Sequence, residues 1–362
     1  MSEQLLSNES RILMKGNEAC AKGAILAGCR HYFGYPITPQ TEIPEYLARQ
    51  MPLIGGTFVQ AESEIAAINM VYGAASAGMR AMTSSASPGI SLKQETISSL
   101  ACAELPCVVV NVSRGGPGIG CIQGAQSDYF QSTKGGGHGD YHLITLAPNS
   151  VQEMLDMTML AFDLADKYRN PVLLLSDGVI GQMMEPLLLP DPVTDLPEKP
   201  WAATGAKGRK KNIITTLYLN APACEAHNSK LQAKFQQITE NEIRWEEVDT
   251  EDADWILVAY GISSRIALTV QQMARAKGEK VGIVRPKTLW PFPYEVLSRL
   301  SKRVKGFLVV EQNAGQMIDD VRLAVEGRAQ VRFYGRPGGV MIWPQDVLDC
   351  LEEIMEEERC HA

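Results

Sequence analysis

Three short segments of this 362-residue chain combine charged or hydroxyl side chains with glycine or proline in patterns that could support chemistry. The first, GYPITPQ at 34–40, places the hydroxyl of Thr38 between Pro36 and Pro39. Each proline fixes its own φ and disfavours the α region for the residue before it, so Tyr35 and Thr38 are predicted to be extended. A hydroxyl fixed in this way can bind a polar group of a ligand with little further ordering.

The second segment, AESE at 61–64, holds two carboxylates and precedes a run of small and apolar residues. Glu62 and Glu64 are two residues apart, so they cannot share a face of the helix that follows. The helix dipole explains one of them and contributes about 0.3 to 1 kcal/mol. Because the helix is apolar nearly all round and is predicted to be buried, at least one carboxylate should point into the protein. Such a carboxyl can act as a general acid or bind a heterocyclic nitrogen.

The third segment, SRGGPGIG at 113–120, places Arg114 directly before a glycine-rich loop. The loop lacks the G-K-[ST] of a Walker A motif, and its glycines miss the G-x-G-x-x-G register, so a dinucleotide site is poorly supported. Arg114 could bind a carboxylate through two parallel hydrogen bonds, contributing roughly 1.5 to 3 kcal/mol. A structural ion pair explains the same residue equally well. His138, within the glycine-rich stretch at 134–140, is predicted to be exposed rather than catalytic.

Composition and charge exclude several classes of protein. The chain is 45% hydrophobic and 21% charged, which is typical of a globular protein, and its length favours two cores. The net charge of -8 argues against a nucleic-acid surface. No apolar run reaches a membrane span and the opening segment shows no signal-peptide pattern, so we expect no membrane association and a cytoplasmic location. The eight cysteines include no C-x-x-C, so no metal or iron–sulfur site is expected on this chain.

The segments must be positioned by elements that alternate between short β-rich runs, such as PVLLLSD at 171–177, and helical stretches. This alternation predicts the α/β class, with mostly parallel sheets and helices on both faces. Ligands of such sheets collect at the carboxyl ends of the strands, where all three segments and SASPG at 85–89 are predicted to lie. We predict two three-layer domains, at 1–190 and 251–362, joined by a proline-rich linker or arm at 191–250.

Five motifs together resemble the alpha subunit of 2-oxoacid:ferredoxin oxidoreductases. They are YPITP at 35–39, ESE at 62–64, SRGGPG at 113–118, RPKTLWPFP at 285–293 and VEQNAGQM at 310–317. The resemblance implies a thiamine diphosphate enzyme to which this chain supplies a pyrimidine-binding domain and a transketolase C-terminal-like domain. The implied reaction is coenzyme A-dependent oxidative decarboxylation of a 2-oxoacid to acyl-CoA and CO2, with reduction of ferredoxin.

The resemblance assigns a role to one residue in each segment. Thr38 matches the threonine that hydrogen-bonds the 2-oxoacid, and Arg114 matches the arginine that binds the substrate carboxylate. Glu64 matches the glutamate that binds a pyrimidine ring nitrogen of the cofactor, and it is the predicted catalytic residue. The predicted cofactor-binding residues are Glu64 together with Pro36, Ile37 and Ser87.

Motifs that the chain lacks indicate partner chains. There is no G-D-G followed by an asparagine pair, the usual magnesium–diphosphate motif of thiamine enzymes, and SDGVI at 176–180 lacks the first glycine. The resemblance therefore implies that a beta subunit binds magnesium and the diphosphate and that partner subunits hold the [4Fe-4S] clusters. Gamma and ferredoxin-like delta subunits are expected to complete the hetero-oligomer.

The substrate stays open between two acids. The motifs are most similar to those of subunits for branched-chain acids such as 3-methyl-2-oxobutanoate, with 2-oxoglutarate enzymes next. A 2-oxoglutarate site needs a donor for a second carboxylate, for which Lys93, Gln123 and Lys134 are candidates, whereas a branched-chain site needs apolar walls. Two hypotheses of other classes are a nucleotide-binding enzyme that uses the glycines at 115–124 and a noncatalytic scaffold subunit.

Overall fold

The computed structural model describes residues 11–361, without the side chains of residues 359–361. Residues 1–10 and the thiol of Cys360 are outside the described part of the chain. The expected absence of a signal peptide depends on these first residues. Within the described part of the chain, no helix is long and apolar enough to cross a membrane.

Strands and helices alternate along most of the chain. In chain order the strands are β1 (Ile12–Lys15), β2 (His31–Gly34), β3 (Thr57–Gln60), β4 (Ala81–Ser85), β5 (Val108–Ser113), β6 (Ile144–Leu146), β7 (Val172–Asp177), β8 (Met184–Leu187), β9 (Trp245–Val248), β10 (Trp255–Val258), β11 (Val281–Pro286), β12 (Thr288–Trp290), β13 (Gly306–Glu311) and β14 (Gln330–Gly335). The helices are α1 (Gly16–Leu26), α2 (Glu42–Gln50), α3 (Glu64–Ser76), α4 (Ser87–Cys102), α5 (Tyr129–Thr133), α6 (Val151–Tyr168), α7 (Gly178–Gln182), α8 (Ala221–Asn241), α9 (Gly261–Ala276), α10 (Tyr294–Leu300), α11 (Met317–Val325) and α12 (Pro344–His361).

The first sheet has the spatial order β12-β6-β7-β5-β4-β2-β3. All neighbouring pairs are parallel except β12 with β6 at one edge, where a strand from the C-terminal part of the chain closes the sheet. The central strands β4, β5 and β7 are buried at every residue, so both of their faces are covered. Their sequences, such as VVVNVS in β5, have the continuous rather than alternating apolar character of such strands.

The second sheet has the order β14-β13-β10-β11-β9, and only β9 is antiparallel to its neighbour. Helices α9 and α12 pack together over a core that includes Trp255, Leu257 and Val281. A short antiparallel pair, β1 with β8, lies apart from both sheets. Two mostly parallel α/β sheets confirm the predicted fold class.

The segment between the two sheets is only partly irregular. Residues 188–220 contain no helix or strand, as the dense prolines suggest, and they are attached to the first sheet's helices by the Lys199–Asp166 salt bridge (2.5 Å) and by the hydrogen bond from Ala203 N to Ser76 O (2.8 Å). The long helix α8 and strand β9 follow, and β9 joins the second sheet. The domain bounds inferred from the sequence stay a prediction.

Candidate active site

The loop at 35–40, here called the Thr38 loop, connects β2 with the turn before α2 and is held by two neighbouring helices. Asn17 Nδ2 in α1 and Gln182 Nε2 in α7 both donate to the carbonyl of Pro39, at 2.8 and 3.1 Å. The peptide bond before Pro39 is cis. Thr38 itself is exposed, while the backbone beside it is fixed by these hydrogen bonds.

A buried chain of hydrogen bonds supports the Thr38 loop from the sheet side. Ser84 Oγ, near the end of β4, donates to Gln40 Oε1 (2.5 Å) and shares a hydrogen bond with the hydroxyl of Tyr32 (2.7 Å). Gln40 Nε2 in turn donates to the carbonyl of Tyr35 (3.3 Å). Because Tyr32, Gln40 and Ser84 are completely buried, an unpaired group here would cost about 1 to 3 kcal/mol, which keeps the loop in one arrangement.

Arg114 follows β5 and joins two of the predicted segments. Its Nη1 donates to the carbonyl of Thr38 (2.9 Å), and its Nη2 donates to the carbonyl of Ile119 in the glycine-rich loop (2.8 Å). Nε is buried and has no partner, and within residues 11–361 no carboxylate forms a salt bridge with this guanidinium. The alternative of a structural ion pair therefore finds no support, and the positive charge is available to an anion.

Glu64 is the first residue of α3, which begins after Ser63, whose hydroxyl accepts a hydrogen bond from Ala66 N (3.2 Å). Glu64 is 8% exposed and Glu62 is exposed. The expectation that one of these carboxylates points into the protein is therefore confirmed. The sequence predicted that this helix is buried on all sides, and the structure differs from that prediction. Ile65 is 51% exposed, because no part of the described chain covers its side of the helix.

The Glu64 carboxylate packs against the first turn of α4. A Cβ added at Gly89 would lie 2.7 Å from Glu64 Oε1 and 2.1 Å from Ser85 Oγ, so only glycine fits at this position. Among the described residues the carboxylate receives no hydrogen bond, and Ser85 Oγ is buried without a partner. The Glu64 carboxylate and Ser85 Oγ, which lie next to Gly89, could therefore both bind a polar ligand.

Ser87 connects this turn to Arg114. Its hydroxyl accepts a hydrogen bond from Arg114 N (3.0 Å) and donates to Asp128 Oδ2, which also accepts from Asn111 Nδ2 (2.8 Å). Ser87 and Asp128 line one end of an open cavity of about 420 Å³ whose other walls come from 116–118 and from the second domain. Ser87 therefore lies at the start of α4, and Glu64 borders it. Arg114 contacts Ser87 and also contacts Thr38.

The remaining predicted positions fall into two groups. Pro36 is exposed and Ile37 is half-buried in the Thr38 loop, and their part in cofactor binding stays a prediction. Of the candidate donors for a second substrate carboxylate, Lys93 is completely buried and Lys134 is engaged by Asp320 at 2.6 Å, so neither is free. Gln123 is exposed, and His138 is exposed, as expected for a residue outside the catalytic group.

Sequence reasoning missed Gln126, which joins the two domains. Its side chain donates to the carbonyl of Tyr260 (2.8 Å) and accepts from Ser263 Oγ (2.7 Å) and Gln312 N (2.9 Å). Asn313 Nδ2 donates to the backbone carbonyl of Gln126 (2.8 Å). Gln312 and Asn313, on the far side of this junction, belong to the VEQNAGQM motif that carried the resemblance, but a lone glutamine at 126 gave no signal.

Two buried carboxylates stabilise helix starts near the same junction. Asp177 Oδ1 accepts from the N–H groups of Val179 and Ile180 in α7 (2.9 and 3.0 Å), and Oδ2 accepts from Ile262 N in α9 (3.3 Å). Burial raises the pKa of Asp177 from its usual 3.8 to about 6 although these hydrogen bonds lower it. Burial also raises the pKa of Glu311, whose carboxylate accepts hydrogen bonds from the first turn of α11.

Comparison with known proteins gives matches over nearly the whole chain. Residues 22–249 match the family model described as pyruvate flavodoxin/ferredoxin oxidoreductase, thiamine diphosphate-binding, and residues 253–347 match core domain II of pyruvate:ferredoxin oxidoreductase. Ketoisovalerate oxidoreductase subunit VorB of Methanothermobacter marburgensis is 53% identical, over 95% of this chain and 98% of that protein. The 2-oxoglutarate synthase subunit KorA of Methanothermobacter thermautotrophicus is 37% identical, over 93% and 97%.

A solved structure shares the fold. It is the 2-oxoglutarate:ferredoxin oxidoreductase from Magnetococcus marinus with 2-oxoglutarate, coenzyme A and succinyl-CoA bound, which is 30% identical with a TM-score of 0.86. The alignment covers 95% of this chain but only 65% of that chain, so that protein is considerably longer.

Proposed function

The chain belongs to the pyruvate flavodoxin/ferredoxin oxidoreductase family, as a 2-oxoacid:ferredoxin oxidoreductase subunit of the alpha type, and from this premise we propose its substrate and the roles of its residues. The substrate is a branched-chain 2-oxoacid, best represented by 3-methyl-2-oxobutanoate. The products are the acyl-CoA and CO2, with reduction of ferredoxin. The observation that carries the proposal is the hydrogen bond between Arg114 and the Thr38 loop, near the start of α4, where the Glu64 carboxylate accepts no hydrogen bond from the described residues.

The choice of a branched-chain acid has two supports. One is the extensive similarity to a ketoisovalerate oxidoreductase subunit. The other is that Lys93 is buried and Lys134 is paired with Asp320, so neither is free to hold the second carboxylate of 2-oxoglutarate. A 2-oxoglutarate subunit remains the alternative, because KorA proteins are also similar and Gln123 is exposed.

The residues fit the predicted cofactor. Among the described residues neither the Glu64 carboxylate nor Ser85 Oγ has a hydrogen-bond partner, and Gly89 leaves the space beside them that a Cβ would fill. Glu64 would hold or return a proton at the pyrimidine ring nitrogen, a contribution of about 10²- to 10⁴-fold in rate. Thiamine diphosphate, when bound, supplies the electron sink through which a 2-oxoacid loses CO2.

Substrate orientation is the task of the other two predicted residues. Arg114 would bind the substrate carboxylate with the N–H donors that its two backbone contacts leave unused. The hydroxyl of Thr38, which is an exposed residue, would hydrogen-bond the same 2-oxoacid. Because Arg114 Nη1 also holds the carbonyl of Thr38, the two groups are placed together before substrate binds, which lowers the ordering cost of the reaction.

Partner subunits are proposed to complete the site. Four large apolar side chains in α3, in α4 and in the loop after Arg114 are exposed: Ile65 (51%), Leu92 (52%), Ile119 (79%) and Ile122 (57%). Exposed apolar side chains close to polar ones are typical of a protein interaction surface. We infer a beta subunit that binds the diphosphate and magnesium here, and gamma and ferredoxin-like delta subunits that hold the [4Fe-4S] clusters. A cytoplasmic location stays a prediction.

The experiment is to co-purify the chain with its partner subunits from the native source and to measure viologen reduction with coenzyme A present. The three acids 3-methyl-2-oxobutanoate, 2-oxoglutarate and pyruvate are compared in parallel, and the first is expected to be strongly preferred. Preference for 2-oxoglutarate would favour the alternative substrate. A complex that contains thiamine diphosphate but reduces viologen with none of these acids would contradict the proposal.

A matched pair of variants tests the role of the chain itself. Glu64→Gln removes the buried carboxylate, and we expect a loss of about 10²- to 10⁴-fold in kcat with the complex intact. Glu62→Gln makes the same chemical change two residues away at an exposed position and should leave kcat unchanged. Full activity in Glu64→Gln would instead indicate a noncatalytic scaffold subunit.

A further inference from the structure

Asp128 is a buried carboxylate that its place in the secondary structure does not explain. It directly precedes the short helix α5, where an aspartate usually accepts hydrogen bonds from the first N–H groups of the helix, but its side chain forms no such bond. It is 9% exposed, and in the part of the chain that the structure describes no lysine or arginine forms a salt bridge with it. A buried carboxylate without a cation is unfavourable, so its hydrogen bonds indicate what it does.

Those hydrogen bonds lead directly to Arg114. Asp128 Oδ2 accepts from Ser87 Oγ (2.5 Å) and from Asn111 Nδ2 (2.8 Å). Ser87 Oγ in turn accepts from the backbone N of Arg114 (3.0 Å). One side chain, that of Ser87, therefore connects the buried carboxylate with the arginine that is the proposed substrate-binding residue.

The direction of the Ser87 hydroxyl decides whether the N–H group of Arg114 is paired. A serine hydroxyl has one proton to donate. Two other acceptors for it lie farther away than Asp128, namely the carbonyl of Arg114 (3.3 Å) and Ser113 Oγ (3.5 Å). Because the carboxylate is both the nearest and the strongest acceptor, it takes the proton and leaves the lone pairs of Ser87 Oγ for the N–H group of Arg114.

A residue of the second domain holds both sides of Asp128. Gln316 Nε2 donates to the carbonyl of Ser127 (2.8 Å), and Gln316 Oε1 accepts from the backbone N of Phe130 (2.8 Å). Ser127 Oγ also donates to the carbonyl of Arg114 (3.3 Å). The segment that carries the carboxylate is thus fixed independently of the glycine-rich loop.

Arg114 needs this support at its backbone. It directly follows β5 and precedes two glycines, which give the loop wide conformational freedom. The two hydrogen bonds of its side chain go to the backbone carbonyls of Thr38 and Ile119, which both lie outside helices and strands. The bond to Ser87, by contrast, ties the backbone of Arg114 to the start of α4.

We propose that Asp128 is a positioning residue of the substrate-binding site. It acts through Ser87 to fix the backbone of Arg114, and with it the guanidinium that binds the substrate carboxylate. The proposal rests on the proposed function for the role of Arg114.

The first test uses the isolated full chain and does not depend on activity. The backbone amide of Arg114 is followed by NMR in a chain with isotope-labelled arginine, and its signal is identified by its loss in Arg114→Lys. Asp128→Ala removes the acceptor that orients Ser87, so hydrogen exchange of this amide should become about 10-fold faster or more. Asp128→Asn, whose side-chain oxygen can accept the same two hydrogen bonds, should keep the exchange rate within about threefold of the wild type.

The second test uses the assembled complex and its preferred 2-oxoacid. Asp128→Ala should raise KM about 5- to 20-fold and leave kcat within about twofold, because Arg114 holds the substrate carboxylate equally well before and during the reaction. Asp128→Asn should have a KM close to that of the wild type. In a chain that already carries Ser87→Ala, adding Asp128→Ala should change KM little, since Asp128 acts through Ser87.

Three results would overturn the proposal. One is an unchanged exchange rate of the Arg114 amide in folded Asp128→Ala, and another is an unchanged KM in that variant when Arg114→Lys raises KM. Asp128→Ala leaves the buried Asn111 Nδ2 without its acceptor, so if it does not fold, the double variant Asn111→Val/Asp128→Ala is measured in its place with the same expectations. If that variant does not fold either, Asp128 serves the fold, which is the third such result.

Failure of the proposed function is distinguishable from failure of this proposal. If Arg114→Lys itself leaves KM unchanged, Arg114 does not bind the substrate and the proposed role of that residue is contradicted. The exchange rate of the Arg114 amide then still decides whether Asp128 fixes the backbone of Arg114.

Discussion

Replacement of Gly89 by alanine should disable the site without unfolding the chain. The added Cβ would lie 2.7 Å from Glu64 Oε1 and 2.8 Å from Glu64 Cγ, whereas ordinary contact begins near 3.4 Å. The carboxylate must therefore retreat by about 0.7 Å, the difference between 3.4 and 2.7 Å. Ser85 Oγ, at 2.1 Å, must also shift, and it has no hydrogen bond within the described residues to lose.

The expected cost follows from that displacement. A misplacement of about 1 Å of a group that handles protons can reduce the rate about 100-fold, so we expect kcat to fall between about 30- and 100-fold. Alanine is the better helix former by about 1 kcal/mol, which offsets only part of the roughly 1 to 3 kcal/mol of steric strain, so the thermal unfolding temperature should fall by a few degrees while the chain stays folded. The assays are 2-oxoacid-dependent viologen reduction by the assembled complex and thermal unfolding of the chain.

Gly73→Ala is the matched control. Gly73 lies inside α3, and a Cβ there would meet nothing within 4 Å. This variant should keep full activity and unfold at a slightly higher temperature. If Gly89→Ala kept full activity as well, the placement of the Glu64 carboxylate against α4 would not matter to the reaction, and the reasoning from this contact would be refuted.

Two further predictions concern the junction between the domains. The raised pKa of Asp177 means that its contribution to stability is fully present below pH 3.8 and is lost as the pH rises through about 6, which over that interval corresponds to about 3 kcal/mol. Asp177→Asn lacks this dependence, so its stability relative to the wild type should rise by that amount between pH 4 and 7; a constant difference in denaturant unfolding would contradict it. Gln126→Leu leaves the hydrogen-bonding groups of Tyr260, Ser263 and Gln312 without their partner, which should lower the free energy of unfolding by about 3 kcal/mol or more. This loss would be measured as a lower unfolding temperature. An unchanged temperature would mean that water or a rearrangement replaces these hydrogen bonds.

Much of the fold and part of the site could be predicted from local patterns. Continuous apolar runs between helical stretches identified the parallel sheets, because strands covered on both faces have that composition. The two-residue spacing of Glu62 and Glu64, together with the apolar helix that follows, predicted that one carboxylate points inward, although that helix is exposed on one side. The sequence placed Thr38 and Arg114 at the carboxyl ends of strands on one edge of a sheet, and the structure joins them by a hydrogen bond from Arg114 Nη1 to Thr38 O, although β4 lies between β2 and β5.

What could not be predicted depends on contacts between residues far apart in the chain. Nothing local marks Lys93 as buried, since a lysine in a helix is most often exposed, and its candidate role as a substrate contact was therefore wrong. Gln126 gained its importance only from a second domain more than a hundred residues away. The sequence also predicted that the exposed side of α3 is buried. An apolar helix side can be covered by the same chain or by another chain, and the sequence pattern does not distinguish the two.

The strand β12 has a consequence for synthesis of the chain. It closes the edge of the first sheet beside β6, yet it ends at Trp290, about 100 residues after the end of β8 at Leu187. At roughly 5 to 20 residues per second, a ribosome needs about 5 to 20 seconds to make that stretch. During this interval the backbone of β6 has no partner on its outer side and is open to pairing with another nascent chain. This exposure to aggregation thus falls in the middle of translation, before the second sheet is complete.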